Sequence, residues 1–454
     1  MQNQNRSLQS LETDSVAKVF FRYLIPSLIG MFMMSINVVI DGIFVGHRFG
    51  SVALAGINVS FPVFSIYMAI SLWIGIGGAA LYSKALGAKQ YTKAQSIFTH
   101  SLTLIFSITI VIGFIAFMLR EPVALFLGAN EETMPYVMDY MNVLLSCGFV
   151  FTVQNSFSVF VRNDGNPNLA MISMVVTAIS NVILNYIFLF VLDFGVAGSA
   201  WGLIGAAAIG SCVLFTHFLR KESTLKFSKP TFSWELTRNT LIIGFPSFIA
   251  EVGIAVFTAG YNIAMAHWVG TVGVSAFSIL NYVHSVMLMM FIGMGSAIQP
   301  LISFYRGAKQ RVRERETIRI AVKTALGTGI GILLVGIFAA DAIVSMFGDF
   351  SADVRELAIT GIRLFFIAYL FMGINFVMMT YFQATEQVKM AIWITIAREM
   401  LLMIAFLFTL PHIWGINGIW LAIPLSECIV TLTVYLYIRN QAARALTASA
   451  GLSR

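Results

Sequence analysis

Charge is scarce in this chain. Of its 454 residues only 11% are Asp, Glu, Lys or Arg, against 58% hydrophobic, and mean hydropathy is +0.84. A soluble domain carries about a quarter charged residues. The composition therefore excludes a soluble globular protein and points to a polytopic membrane protein. Cysteine is nearly absent: Cys147, Cys212 and Cys428 lie far apart in apolar runs. That spacing excludes a disulfide framework and a zinc site. No H-E-x-x-H, Walker loop, C-x-x-C or G-x-S-x-G occurs, so the common hydrolase, nucleotide and redox chemistries lack a motif. No enzyme activity, no metal and no cofactor are expected. Residues 1–15 are polar, with Glu12 and Asp14, and the apolar run after them is too long for a signal h-region. No cleavable signal peptide is expected. The net charge of +7 implies no nucleic-acid partner, because basic residues of membrane proteins gather in cytoplasmic loops.

What is abundant is long apolar runs. A spanning helix needs roughly 20 apolar residues. Twelve runs qualify: 18–45, 53–82, 94–118, 134–160, 168–192, 197–219, 239–266, 272–303, 316–340, 355–382, 390–410 and 416–438. Open strands cannot cross lipid with unpaired edge amides, and these runs are too long for barrel strands. The expected fold is an all-α polytopic membrane protein. With the N-terminus inside, 23 of the 28 lysines and arginines fall on cytoplasmic segments, counting Arg162 among them. Both termini are expected to face the cytoplasm.

The chain repeats itself at a shift of 220. Gly87-Ala88-Lys89-Gln90 recurs as Gly307-Ala308-Lys309-Gln310. The same shift carries Pro26 onto Pro246, His47 onto His267, Gly50 onto Gly270, Gly128 onto Gly348, Asn155 onto Asn375 and Gly195 onto Gly415. A constant offset along the whole chain is a duplication. An even number of spans per half makes the repeats parallel, an arrangement found among secondary transporters. The expected domains are an N-lobe over residues 1–225 and a C-lobe over residues 226–454, joined by the basic segment Lys221 to Arg238 with Pro230.

Within these runs a few polar groups stand out. Asp41 sits near the outer end of the first run, and a carboxylate in lipid is costly enough to mark function. Asn37 lies four residues earlier on the same face. The fifth run carries Asn181 and Asn185 at the same spacing, and the fourth carries Gln154 and Asn155. These groups can meet at one depth. A carboxylate among amides in a dry cavity can hold a proton or a cation; the plainer alternative for the asparagines is interhelical hydrogen bonding. In the second half Glu251 follows Pro246 by five residues, near Asn262, Asn281 and His284. Glu251 is the second coupling candidate and the place for Na+ if Na+ is used. Arg398 and Glu427 are read as a structural ion pair, with Glu399 beside them, and His284 as a bonded core histidine. Pro26 and Pro246 each remove a backbone donor and can bend their helices. The glycines of Trp73-Ile74-Gly75-Ile76-Gly77-Gly78 follow no strand, so they are read as helix-packing positions and not as a phosphate loop.

The duplicated spans, Pro26, the segment Asn37-Val38-Val39-Ile40-Asp41-Gly42-Ile43-Phe44-Val45-Gly46-His47, both Gly-Ala-Lys-Gln loops and Gly195-Val196-Ala197-Gly198 resemble the multidrug and toxic compound extrusion (MATE) family, closest to its bacterial DinF/MepA-like branch. The resemblance covers essentially the whole chain. It implies two six-helix lobes around a central cavity and efflux of organic cations against H+ or Na+. It implies that Asp41 carries coupling, with Asn181 as partner. Relatives often have an acid where this chain has Asn185, which leaves one carboxylate at that site. Glu251 resembles the seventh-helix acid of the NorM-like branch, but its tenth-helix companion is missing; that helix offers Asn375, Tyr381 and Gln383 instead.

The function expected is a secondary antiporter exporting amphipathic, cationic compounds by alternating access in a bacterial inner membrane, working as a monomer in contact with lipid. The rival in the same superfamily is a lipid-linked saccharide flippase. Its anionic cargo calls for several basic residues inside the cavity, and Arg398 is the only one read as deep in a span. A membrane enzyme or a channel is the rival of another class. An enzyme would show a nucleophile–base set or metal ligands on facing helices; a channel would show conductance.

Overall fold

The computed structural model describes residues 6–229, 232–348 and 350–451; Pro230 of the join lies outside them. Among the described residues every regular element is a helix. Eleven helices are long and apolar enough to cross a membrane, and the bent pair Met134–Cys147 and Phe149–Asn163 makes a twelfth span. They are α1 (Val16–Gly50), α2 (Val52–Gly87), α3 (Tyr91–Met118), α4 (the bent pair), α5 (Pro167–Val191), α6 (Ala197–Leu219), α7 (Trp234–Trp268), α8 (Thr271–Gly307), α9 (Arg311–Phe338), α10 (Ala352–Ala384), α11 (Val388–Trp414) and α12 (Ile416–Arg444). Each expected run falls on one of them. Phe114, Ile115 and Met118 of α3 are exposed, as suits a face turned to lipid.

The backbone repeats with the sequence. Gly50 and Gly270 have φ of +81° and +72°, and Lys89 and Lys309 have φ of 59° and 58°. The short helices Arg120–Phe126 and Ala340–Ser345 also start 220 residues apart. Left-handed φ is easy only for glycine, so Gly50 and Gly270 mark turns that each half must make. α4 bends by 52° between Cys147 and Phe149. No proline causes the bend. A Cβ on Gly148 would lie 3.0 Å from the Tyr67 ring, and the Tyr67 hydroxyl donates to the Leu145 carbonyl at 3.2 Å. Inserted side chains of this kind break a helical ladder. The matching place in α10 is a 3₁₀ turn at Phe366–Ala368.

Contacts group the chain into two units. The first holds Met1–Glu251, Ile292–Thr317 and Gln383–Glu386. Its core packs Val45, Tyr67, Val137, Met141, Leu144 and Leu189. Here the two Gly-Ala-Lys-Gln loops meet. A Cβ on Gly87 would strike the Phe304 carbonyl, and one on Gly307 would strike the Lys84 carbonyl. Since 304 and 307 are 84 and 87 shifted by 220, the contact is the same from both sides, as about a local two-fold axis. Gly244 packs equally closely on the Trp73 carbonyl. Small residues let backbones approach where lipid supplies no hydrophobic drive. The second unit holds Val252–Phe291, Ile318–Phe382 and Gln387–Arg454. Its interior is aromatic: Phe257 lies 4.9 Å from both Tyr261 and His284, and Tyr261 stacks on Phe277 at 5.0 Å.

Candidate functional site

α1 and α5 build one polar site inside the first unit. Asp41 lies on α1, and the fully buried Asn181 and Asn185 lie one turn apart on α5. Asn185 Nδ2 donates to Asp41 Oδ1 at 2.5 Å. With its nitrogen turned to α1, the Asn181 amide donates to Asp41 Oδ1 at 2.6 Å and to Asn37 Oδ1 at 3.1 Å. Its oxygen then accepts from the Leu203 amide of α6 at 3.1 Å. With the amide turned the other way, its oxygen accepts from Asn185 Nδ2 at 3.1 Å. A Cβ on Gly202 of α6 would collide with Asn185 Oδ1 and lie 2.8 Å from its Cγ, so α6 presses Asn185 toward Asp41. Directly after Asn185 the helix widens into a π turn, Ile187–Val191, a feature common at functional sites.

The structure thus brings Asn37, Asp41, Asn181 and Asn185 together. It does not bring in Gln154 or Asn155. Gln154 Nε2 reaches Ser173 and Thr177, each at 3.4 Å. Asn155 Nδ2 donates to Ser71 at 2.9 Å. Neighbouring helical residues point about 100° apart, so Gln154 meets α5 and Asn155 meets α2. Pro26 and Pro246 are buried, and α1 and α7 remain helical on both sides of them. Glu251 lies half-buried on α7. Asn281 is half-buried on α8, where its backbone carbonyl accepts from Ser285 at 2.8 Å.

A second polar cluster lies in the second unit. Arg398 Nη1 pairs with Glu427 Oε1 at 3.4 Å, and Nη2 pairs with Glu399. Asn375 Nδ2 donates to Glu427 Oε2 at 2.6 Å. The guanidinium lies 3.8 Å from the Phe376 ring centroid. A π turn at Ala397–Leu401 lets the adjacent Arg398 and Glu399 both face inward. The expected Arg398–Glu427 pair is present, joined by two partners. His284 Nδ1 bonds the Tyr369 hydroxyl at 3.0 Å, as expected of a core histidine.

Sequence reasoning missed two sites. Buried Asp164 takes hydrogen bonds from Tyr82 at 2.8 Å and from the Thr224 amide at 2.9 Å, with His217 Nε2 2.8 Å away. It ties the loop after α4 to the chain leaving α6, and the Asn-Asp-Gly turn at residues 163–165 is its only trace in the sequence. Arg162, counted as a loop cation, is buried.

A family model described as MatE matches residues 26–187 and again residues 246–409. The chain belongs to the MATE family. The two matches begin 220 residues apart, at the two prolines of the repeat. Among its relatives is the multidrug export protein MepA of Staphylococcus saprophyticus, 27% identical over 455 residues, with 96% of each chain covered. A solved outward-facing multidrug resistance MATE transporter of the MOP superfamily superposes with a TM-score of 0.91 at 21% identity, covering 97% of this chain and 99% of that one. A MATE structure in the bent conformation gives 0.90 at 21% identity, covering 99% and 100%. The likeness to the solved structures establishes the MATE fold, and with it a multi-pass membrane protein.

Proposed function

We propose that this MATE protein exports amphipathic organic cations by alternating access in exchange for protons, with Asp41 as the coupling carboxylate. The observation that carries the reading is the all-amide shell of Asp41. An arginine or lysine partner would hold the carboxylate charged. Asparagine both donates and accepts, so the same shell serves either protonation state. With its nitrogen inward, Asn181 stabilises the anion; with its oxygen inward, it accepts from the protonated acid. Turning one amide is a small rearrangement, which keeps the two states close in free energy, as a two-state carrier requires.

The relatives named as multidrug export proteins support the cargo class. The solved MATE in a bent conformation supports a role for Pro26, which leaves α1 without one ladder bond and able to flex between proton uptake and release. In this reading the two repeats act as lobes of residues 1–225 and 226–454, with both termini cytoplasmic, and Glu251 supplies negative charge in the second lobe. The deciding experiment is ethidium efflux under an imposed proton or Na+ gradient, wild type against Asp41→Asn. Proton-driven export that the mutant loses is the expected result. Full export by the mutant would sink the assignment, and export driven only by Na+ would shift coupling to Glu251.

A further inference from the structure

Arg162, near the end of α4, is 4% exposed, yet it has no carboxylate partner among the described residues. Its Nε is unpartnered and its Nη2 meets only the Met174 sulfur of α5, at 4.0 Å. Asp164, two residues on, is engaged elsewhere, by Tyr82, His217, Ser223 and the amides of Thr224 and Leu225. A buried cation without an anion is costly, so the surroundings matter. Tyr23 of α1 lies within reach of the guanidinium charge. Tyr23, Ser27 and Gly30 are spaced as one helical stripe. That stripe faces the guanidinium, because a Cβ on Gly30 would come within 2.6 Å of the same Met174 sulfur. Ser27 is buried with its hydroxyl unpartnered. So is Ser158, one turn before Arg162 on α4. α1 and α4 therefore bring a set of hydrogen-bond donors together against Met174 of α5, and Asp164, the carboxylate whose charge reaches Tyr23, is taken up by its own partners.

We propose that Arg162, Ser27, Ser158 and Tyr23 form an oxyanion-binding site in the first half of the chain, taking a carboxylate or phosphate group. The planar guanidinium fork suits either group. The Met174 thioether is flexible and is the side chain that would give way. The substrate arm rests on the export reading: the oxyanion would be the acid group of a zwitterionic cargo. The other source of the same chemistry is a phospholipid headgroup.

The test uses the full chain in everted vesicles, with two dyes: a cationic rhodamine methyl ester and the same rhodamine with its carboxylate free. Wild type is compared with Arg162→Met and with Arg162→Lys, which keeps the charge, loses the fork and stays informative if the first variant does not insert. A charged hydrogen bond lost to the free-acid dye predicts a drop of at least about tenfold in its export, with ester export unchanged; that outcome assigns the site to a substrate carboxylate. Unchanged export of both dyes, with less anionic phospholipid retained in native mass spectra of the variants, assigns it to a lipid phosphate. Parallel loss of both dyes with lipid retained, or no change in dyes or lipid, overturns the site. Wild type that exports neither dye defeats the export reading instead and leaves the lipid measurement to decide the oxyanion site.

Discussion

The two halves of the chain share a backbone and differ in chemistry at matched places. A shift of 220 takes Asn37 to Phe257 and Asp41 to Tyr261. In the first half these positions hold an acid in a shell of amides. In the second they belong to an aromatic cluster with Phe277 and His284. In the second half Glu251 lies on α7 itself, and a buried cluster of charges sits on α11 and α12, where Arg398 is flanked by Glu399 and Glu427. Duplication preserved what the chain needs to turn and pack, namely Gly50 with Gly270 and Gly87 with Gly307. It left the ionisable groups free to diverge. In one half the acid is surrounded by groups that tolerate both its states; in the other Glu399 and Glu427 face a permanent cation.

The sharpest break of that comparison is Asp41→Asn against Tyr261→Phe. The first should abolish proton release on substrate addition, followed with a pH-indicator dye in proteoliposomes. The second should leave it intact and cost about 1 kcal/mol of stability at most. Equal effects would mean that the halves share the coupling role. Arg398→Met comes next. It leaves two buried carboxylates without their cation and should destabilise the protein by about 3–5 kcal/mol, read as a lowered melting temperature in detergent, whereas export at a temperature where the variant stays folded should fall little. Gly202→Ala drives a methyl group into Asn185. Overpacking predicts a loss of about 1–3 kcal/mol together with a several-fold fall in export, because Asn185 is pushed off Asp41; a stability loss without a fall in export would detach Asn185 from function. The smallest effect lies outside the membrane at Asp14, where the hydrogen bond from Arg22 holds the carboxyl below its ordinary value. A group depressed in the folded state stabilises above the unfolded carboxylate range, and that contribution fades as pH falls through the folded value. Melting curves of Asp14→Asn and wild type should therefore stay apart at neutral pH and converge only as the pH falls through and below the ordinary carboxylate range.

Much of the fold was legible because lipid makes the pattern coarse. An apolar run long enough to span stands out whatever its neighbours do, and every run fell on a helix. The repeat was legible from Gly-Ala-Lys-Gln because both copies must pack on a carbonyl. The bend of α4 was not, since Gly148 is one small residue in an apolar run and its cause, Tyr67, comes from another helix. At the site, Asp41 and the i, i+4 asparagines were legible from spacing alone. For Gln154 and Asn155 spacing left two readings open, and they make the interhelical hydrogen bonds of the plainer one, because polarity alone gives no azimuth and the face of α4 that turns to α1 depends on packing. Gly202 had no side chain to notice. Arg162 was assigned to a loop because counting positive charges treats any arginine near the end of a run as solvated, and only burial shows otherwise.

The glycine junction also sets a timetable for biogenesis. Gly87 rests against a carbonyl at residue 304, and Gly307 against one at residue 84. Neither surface has its mate until the second copy leaves the ribosome. At about 5–20 residues per second the intervening 220 residues take roughly 10 to 45 seconds. Through that interval the nascent first half presents a stripe of bare backbone to the insertion machinery, and a ribosome pause placed between the copies would lengthen the period in which the wrong neighbour can occupy it.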